Sequence, residues 1–225
     1  MIYFKKSLPA PDDLIIESKK KNGNYATPGV LAKLKEDFYD KCYICEYKKP
    51  TTINVEHLRP HKNNDTLKYD WLNLFLSCSH CNNIKLHKYE NMLNCTVPDE
   101  DIENLIKVSM HIPLPTKKVE VEALSTDPKV LETVELLDKV YNGTTPMKAM
   151  ESYYIRESLV KELLKFITNL NDYLSVETTT SKEYYKMLIE EQLHSSSPFT
   201  MFKRWIIKES PELIEEFSPY MVATS

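Results

Sequence analysis

Four cysteines stand in two pairs, Cys42-Tyr-Ile-Cys45 and Cys78-Ser-His-Cys81, with 32 residues between the pairs. Two C-x2-C pairs place four thiolates on two tight turns, and four thiolates complete the tetrahedral shell of a structural Zn²⁺. Such a shell is closed, so this metal would staple the chain and leave no position for a substrate. Inside the gap lie Val55-Glu56-His57-Leu58-Arg59-Pro60-His61 and Tyr69-Asp70-Trp71-Leu72-Asn73-Leu74. Asn82-Asn83-Ile84-Lys85 follows directly on the last cysteine. A carboxylate beside a His at a strand end offers a hard oxygen ligand and a general base. An Asn one turn before a Lys, on a helix that begins at the zinc, offers a second oxygen ligand and a phosphate contact. Carboxylate, amide and water oxygens suit Mg²⁺ or Mn²⁺ and leave room for phosphate oxygens.

Cys42-x2-Cys45, Glu56-His57, Asn73-Leu74 and Cys78-x2-Cys81-Asn82-x2-Lys85 resemble the HNH nuclease pattern in order and spacing, including the nine residues from Asn73 to Asn82. The resemblance runs from Cys42 to Lys85 and implies a ββα-metal fold that cleaves nucleic acid, DNA before RNA. It implies that His57 activates water and that Glu56 takes the place of the usual Asp or His metal ligand. Asn73 would tie the loop between the strands, and Asn82 would be the last ligand, in competition with Asn83. The expected catalytic residues are therefore Glu56, His57, Asn73 and Asn82, with Glu56 and Asn82 on Mg²⁺ or Mn²⁺. Arg59 and Lys85 are expected to neutralise phosphate. His61 is either a phosphate contact or a solvent-facing residue. One departure stands out: Lys62-Asn63-Asn64-Asp65 occupies the place of a Gly-Gly turn found in many members.

The opening MIYFKKSLPAP, the KCYICE segment, the WLNLFLSC block and the distal SPFTMFKRWI are similar to the HNH component of Septu-type anti-phage systems, PtuB, also found beside some retrons. This resemblance implies an ATPase partner of the PtuA kind in a hetero-oligomer, held by the helical regions and directing the nuclease.

The elements that must position these residues are legible in outline. Pro9, Pro11, the Lys19-Lys20-Lys21 run and Asn22-Gly23-Asn24 predict an extended arm and a turn over residues 1–27. Pro28 opens a short helix to residue 40, with Val30, Leu31, Leu34 and Phe38 at helical spacing. Residues 41–93 read as an irregular segment around two short strands, with a helix after Cys78. IKVSM and KKVEVEAL alternate on either side of Pro113 and Pro115 and predict a β-hairpin. From Asp127 the pattern is helical. A first helix stops at Asn142-Gly143, and a long second one opens at Thr145-Pro146 with Met150, Tyr154, Leu159, Leu163, Ile167 and Leu170 inward. Ser181 is the expected cap of a third helix, Ser197-Pro198 the opening of a fourth, and Pro211 the start of a last short turn. Trp71 and Cys95 read as core, His80 as structural and His87 as surface. The whole is an α+β protein: an arm and helix (1–40), a zinc-stapled HNH module (41–93) and a mainly helical partner-binding region (94–225).

Composition narrows the alternatives. The chain has 225 residues and a formal charge of −4, with 42% hydrophobic and 28% charged residues, which describes a soluble globular protein. Gly23, Gly29 and Gly143 are its only glycines, which excludes a Walker loop, a dinucleotide fingerprint and a Ser-centred elbow. No apolar run suggests a signal peptide or a membrane span, so the expected setting is cytoplasmic, where cysteines serve as ligands rather than disulfides. Charge is uneven: residues 1–90 hold 15 Lys/Arg against 11 Asp/Glu, and residues 91–225 hold 14 against 22. Residues 41–90 hold 8 Lys/Arg and 5 Asp/Glu, and four zinc thiolates bring that module near neutrality. A module so weakly basic is expected to hold DNA poorly alone. The competing readings are a stand-alone restriction or homing-type HNH nuclease and a noncatalytic zinc adaptor.

Overall fold

The computed structural model describes residues 1–110 and 118–221. The segment around the zinc pairs is a β-hairpin crossed by a helix. Strand β1 (Ile53–His57) pairs antiparallel with β2 (Leu74–Cys78), in a register that sets Ile53 opposite Cys78, Glu56 opposite Phe75 and His57 opposite Leu74. All of β2 is buried, so its apolar run Leu74-Phe75-Leu76 forms the floor of the module. The loop between the strands contains a one-turn helix, α3 (Asp65–Lys68), capped by the Asn64 side chain. Helix α4 (Ser79–Lys85) leaves β2 directly, with Cys78 as its N-cap. It stops at Leu86, whose φ of 45° cannot continue a helix.

The loop between β1 and β2 solves the missing Gly-Gly turn. Lys62 and Asn63 adopt φ values of 45° and 64°, the left-handed conformation that glycine would otherwise supply.

Before the module lie α1 (Asp12–Ser18) and α2 (Pro28–Asp37). The first corrects the expectation of a wholly extended arm. Pro11 precedes it and Asp12 and Asp13 occupy its first turn, where the helix dipole favours acidic side chains. Helix α2 starts at Pro28 as expected, with Thr27 as its cap. After the module come a short α5 (Ile102–Leu105) and the hairpin of β3 (Ile106–Met110) and β4 (Val119–Ala123). The expected link through Pro113 and Pro115 lies outside the described residues.

The rest is helical: α6 (Pro128–Asn142), α7 (Pro146–Ser175), α8 (Thr179–Leu193), α9 (Thr200–Lys208) and α10 (Pro211–Phe217). Three details differ from the sequence reading. Thr178, not Ser181, caps α8, and α9 starts at Thr200 after Phe199 in a left-handed conformation. On α7, Leu159, Leu163 and Leu170 are buried, but Met150, Tyr154 and Ile167 are exposed. At about 100° per residue, Met150 and Tyr154 lie roughly 180° and 140° away from Leu159, so they cannot share its face.

One apolar core joins all three segments, from Phe4 and Leu34 through Tyr43, Phe75 and Ile84 to Leu137, Leu159 and Phe202. A second, smaller core gathers Phe166, Leu170, Ile189, Leu193, Ile207 and Phe217. Residue 93 is therefore not a gap in the packing. The first cysteine turn is also tied to the helical region by a buried polar cluster. Lys41 pairs with Glu46 at 3.3 Å and donates to the carbonyls of Ser195 (2.9 Å) and Ser197 (2.6 Å). No helix among the described residues is long and apolar enough to cross a membrane.

Candidate active site

The four sulfur atoms converge as the spacing requires. Cys42, Cys45, Cys78 and Cys81 are buried, unpaired by disulfides, and their Sγ atoms all lie within 4.8 Å of one another. Four sulfurs at about 2.3 Å from a tetrahedral Zn²⁺ would sit about 3.8 Å apart, and Cys45 and Cys78 are 3.9 Å apart. Burial pushes the Cys42 thiol up, yet hydrogen bonds from Cys45, Cys78 and Cys81 outweigh it and hold Cys42 well below its ordinary value. Burial drives Cys45 and Cys81 well above theirs. Without a cation the cluster thus favours the thiolate at Cys42 and the thiol at Cys45 and Cys81. A divalent cation removes that limit, so the donor set fits Zn²⁺.

His80, between two of these cysteines, faces away from them. Its Nδ1 lies 2.7 Å from the Glu151 carboxylate on α7 and its Nε2 lies 2.8 Å from the Val140 carbonyl on α6. It fastens the zinc turn to the helical region, a structural role.

The second group of residues surrounds an open cleft of about 370 Å³. Its walls include Glu56 and His57 from β1, His61 and Asn63 from the loop, Asn82 and His87 at and beyond α4, and Tyr25 from the arm. Hollows of about 640 and 660 Å³ exist elsewhere, but neither contains a motif residue.

His57 is buried at the end of β1, and its Nε2 lies 2.9 Å from the carbonyl of Lys68 at the end of α3. A carbonyl only accepts, so Nε2 carries the proton and Nδ1 keeps a free lone pair. Burial lowers the pKa of this imidazole to about 4, only partly countered by the bond to Lys68. The ring is therefore neutral near pH 7, as a base must be. The Tyr25 ring meets it edge-on at 4.4 Å between centroids, and the His61 ring lies at 4.7 Å.

Glu56 lies on the same strand end but is almost enclosed. The Tyr43 hydroxyl donates to one carboxylate oxygen, and Lys85 pairs with the other at 3.2 Å. Burial raises the Glu56 pKa, and Lys85 and Tyr43 bring it only part of the way back. Each oxygen still has a second lone pair. With the Asn82 amide and water, this oxygen set fits a hard divalent cation such as Mg²⁺ or Mn²⁺. Asn82 is half-buried and lines the cleft, whereas Asn83 is exposed and does not.

Asn73 does not reach the cleft. Its Oδ1 accepts from the Arg59 N–H at 2.8 Å, and its Nδ2 donates to the carbonyls of Arg59 (2.9 Å) and Leu67 (3.0 Å). One buried amide thus holds both ends of the loop that carries His61 and α3. The Arg59 side chain is exposed and outside the cleft lining.

Lys85 requires a correction. It was expected to meet phosphate, but it is fully buried, with its ammonium on Glu56 and 2.8 Å from the His57 carbonyl. Its charge is taken up inside the protein, where it clasps α4 to β1. Three further participants escaped the sequence reading. Tyr43 lies between two cysteines, where only the fold reveals its bond to Glu56. Tyr25 lies 32 positions before His57 and carries no motif. His87, read as surface, is exposed but stands on the rim of the cleft.

Comparison with curated proteins yields no match. A comparison with family models yields one that coincides with this site: residues 42–88, which span both cysteine pairs, the cleft residues of β1 and all of α4, match the family described as HNH endonuclease.

Proposed function

We propose that the cleft is the active site of a metal-dependent endonuclease that hydrolyses phosphodiester bonds of nucleic acid, DNA before RNA. One observation carries the reading: within the stretch matched to the HNH family, a neutral His57 has Nε2 engaged by the Lys68 carbonyl and faces a cleft shared with Glu56 and Asn82. Glu56 and Asn82 would hold the catalytic Mg²⁺ or Mn²⁺, which when bound supplies Lewis-acid stabilisation of charge on the phosphate and the leaving oxygen. His57 Nδ1 takes the proton of the attacking water. Such a base contributes about 10²–10⁴-fold in rate. The Lys68 carbonyl and Tyr25 fix the ring so that Nδ1, not Nε2, is the free nitrogen. Asn73 keeps the loop, and with it the Lys68 carbonyl, in place. The buried Zn²⁺ site holds α4 against β1 and takes no part in proton transfer. His61 stands close enough to His57 to contact a phosphate in the cleft.

The test is nicking of supercoiled plasmid by the purified chain in Mg²⁺ or Mn²⁺, with a structured RNA as a parallel substrate. Metal-dependent cleavage abolished by His57→Ala supports the reading. Absence of cleavage of both substrates under any metal, by the chain alone and together with the ATPase encoded beside it, sinks it.

The cellular setting we infer is narrower. The segments similar to PtuB and the acidic helical region support a nuclease subunit of a cytoplasmic anti-phage hetero-oligomer with a PtuA-like ATPase. Co-purification with an ATPase encoded beside this chain is the check, and a free chain that cleaves rapidly at ~150 mM salt without any partner would overturn it.

A further inference from the structure

The Lys19-Lys20-Lys21 run, far from the motif in sequence, lies on the turn that leads into Tyr25, a residue of the cleft wall. The turn that carries it is tightly built. Lys20 N–H donates to the Glu17 carbonyl (3.0 Å), Gly23 N–H to the Lys20 carbonyl (3.3 Å), and the Glu17 carboxylate accepts from Asn24 N–H (2.8 Å). Gly23 is buried, and a Cβ there would come within 1.9 Å of the Glu17 carbonyl oxygen and 2.8 Å of the Tyr69 hydroxyl. Only glycine lets the turn press against the module. Its carbonyl then accepts from Tyr69 Oη (2.7 Å) and Lys68 Nζ (3.2 Å). Lys68 is the residue whose own carbonyl engages His57. Two positions later, Tyr25 enters the cleft wall against His57. The turn is thus coupled to the catalytic ring by two routes.

The charges complement this placement. A nuclease cleft needs cations to hold the chain on either side of the scissile phosphate. The cleft's own supply is small. Lys85 is buried on Glu56, and Lys62, the one Lys or Arg of the cleft lining among the described residues, pairs with Glu90 at 2.7 Å. Lys19, Lys20 and Lys21 are all exposed. Lys20 pairs with Glu17, and among the described residues neither Lys19 nor Lys21 has an ion-pair partner. Lys21 is four residues from Tyr25, so its backbone lies at most ~14 Å from the cleft wall. Phosphates of one strand rise about 3.4 Å apart along a duplex, so a reach of ~14 Å spans about four nucleotides.

We propose that residues 19–25 form a basic lip of the active site, on which Lys19 and Lys21 grip the phosphate backbone flanking the scissile bond. The inference rests on the reading of the cleft as a nuclease site. It makes the arm part of the substrate-binding surface and supplies the cations that the zinc module lacks.

The experiment measures binding apart from cleavage. Chains carrying His57→Ala are titrated, in Ca²⁺ and across a range of NaCl, against a fluorescein-labelled DNA duplex of about 20 base pairs and an RNA hairpin of similar length. Adding Lys19→Glu and Lys21→Glu should weaken binding about tenfold and flatten the slope of log K against log salt by about two. A control pair on the exposed face of α7, Lys161→Glu with Lys165→Glu, makes the same change in net charge and should leave both quantities unaltered. The probe that loses affinity identifies the backbone gripped. With His57 present, the lysine pair should raise KM and leave kcat unchanged. Equal affinity and equal salt slope for the lysine variant on both probes overturn the lip, as does equal loss in the control. Lip-dependent binding in a chain that cleaves neither substrate overturns the nuclease reading and leaves the lip standing. Cleavage with an unmoved KM in the lysine variant does the reverse.

Discussion

Two sites share one short helix and differ in almost everything else. The thiol site takes Cys78 from the start of α4 and Cys81 from its first turn; the cleft takes Asn82 from the next position. All four cysteines are buried and clipped in adjacent pairs, so each pair brings its own geometry. The cleft draws instead on an arm, a strand end, a loop and a helix, and it stays open. Its polar groups are set by partners that are not ligands: Lys68 for His57, and Tyr43 and Lys85 for Glu56. The contrast teaches a division of labour. The closed site secures the position of a helix, and the open one uses that position. A shared helix also means that damage can travel one way: losing the thiols should remove the cleft, and altering the cleft should spare the thiols.

That asymmetry can be broken at its strongest point first. Cys42→Ser or Cys81→Ser should abolish zinc binding and folding together, because zinc bound to such a shell contributes roughly 10 kcal/mol or more of apparent free energy. Metal analysis and thermal melting read this out, and a zinc-free variant of full stability would show that the thiols are ordinary core. The next effect is catalytic. His57→Ala should reduce cleavage by about 10²–10⁴-fold while zinc content and Tm stay near those of the parent. Loss of zinc in this variant would mean that the two sites are not separable.

Smaller changes sharpen the picture of the cleft. Asn73→Ala leaves the Arg59 N–H and two carbonyls without their amide partner. It should cost about 2–4 kcal/mol in denaturant melts and keep zinc bound in the folded fraction. A stability loss as complete as that of the cysteine variants would contradict a role confined to the loop. The smallest effect concerns the turn beside the cleft. Lys62 holds φ at 45°, a conformation that disfavours any side chain, and its pairing with Glu90 is exposed. Lys62→Gly should therefore stabilise the fold by about 0.5 kcal/mol, the relief of strain exceeding the added freedom of the unfolded chain. A lower Tm would show that the ion pair outweighs the strain.

Much of the helical framework was readable because its signals are local. Pro28 and Pro146 open helices, Asn142-Gly143 closes one, and the alternation of IKVSM and VEVEA makes a hairpin. The reading failed where a local pattern had to be oriented in space. Met150 and Tyr154 are apolar at plausible intervals, but which face of α7 meets the core depends on α6, α8 and α9 packing against it. The α1 helix was hidden because two prolines nearby suggest extension, while its acidic first turn is a weaker signal.

The sites divide along the same line. By itself, the sequence determined the thiol cluster, since C-x2-C clips fix two sulfurs at one turn and leave only the meeting of two turns to the fold. It also determined the order of Glu56, His57, Asn73 and Asn82, because strand, loop and helix carry them in succession. Tertiary structure decided what each could do. Lys85 became a buried counter-ion when α4 settled on β1, since an ammonium removed from water must find a carboxylate. His57 received its tautomer from a carbonyl eleven residues away, and the cleft received Tyr25 from an arm that no motif marks. These outcomes depend on which surfaces come within hydrogen-bonding distance across the chain, and that is settled only when the core that joins the segments has formed.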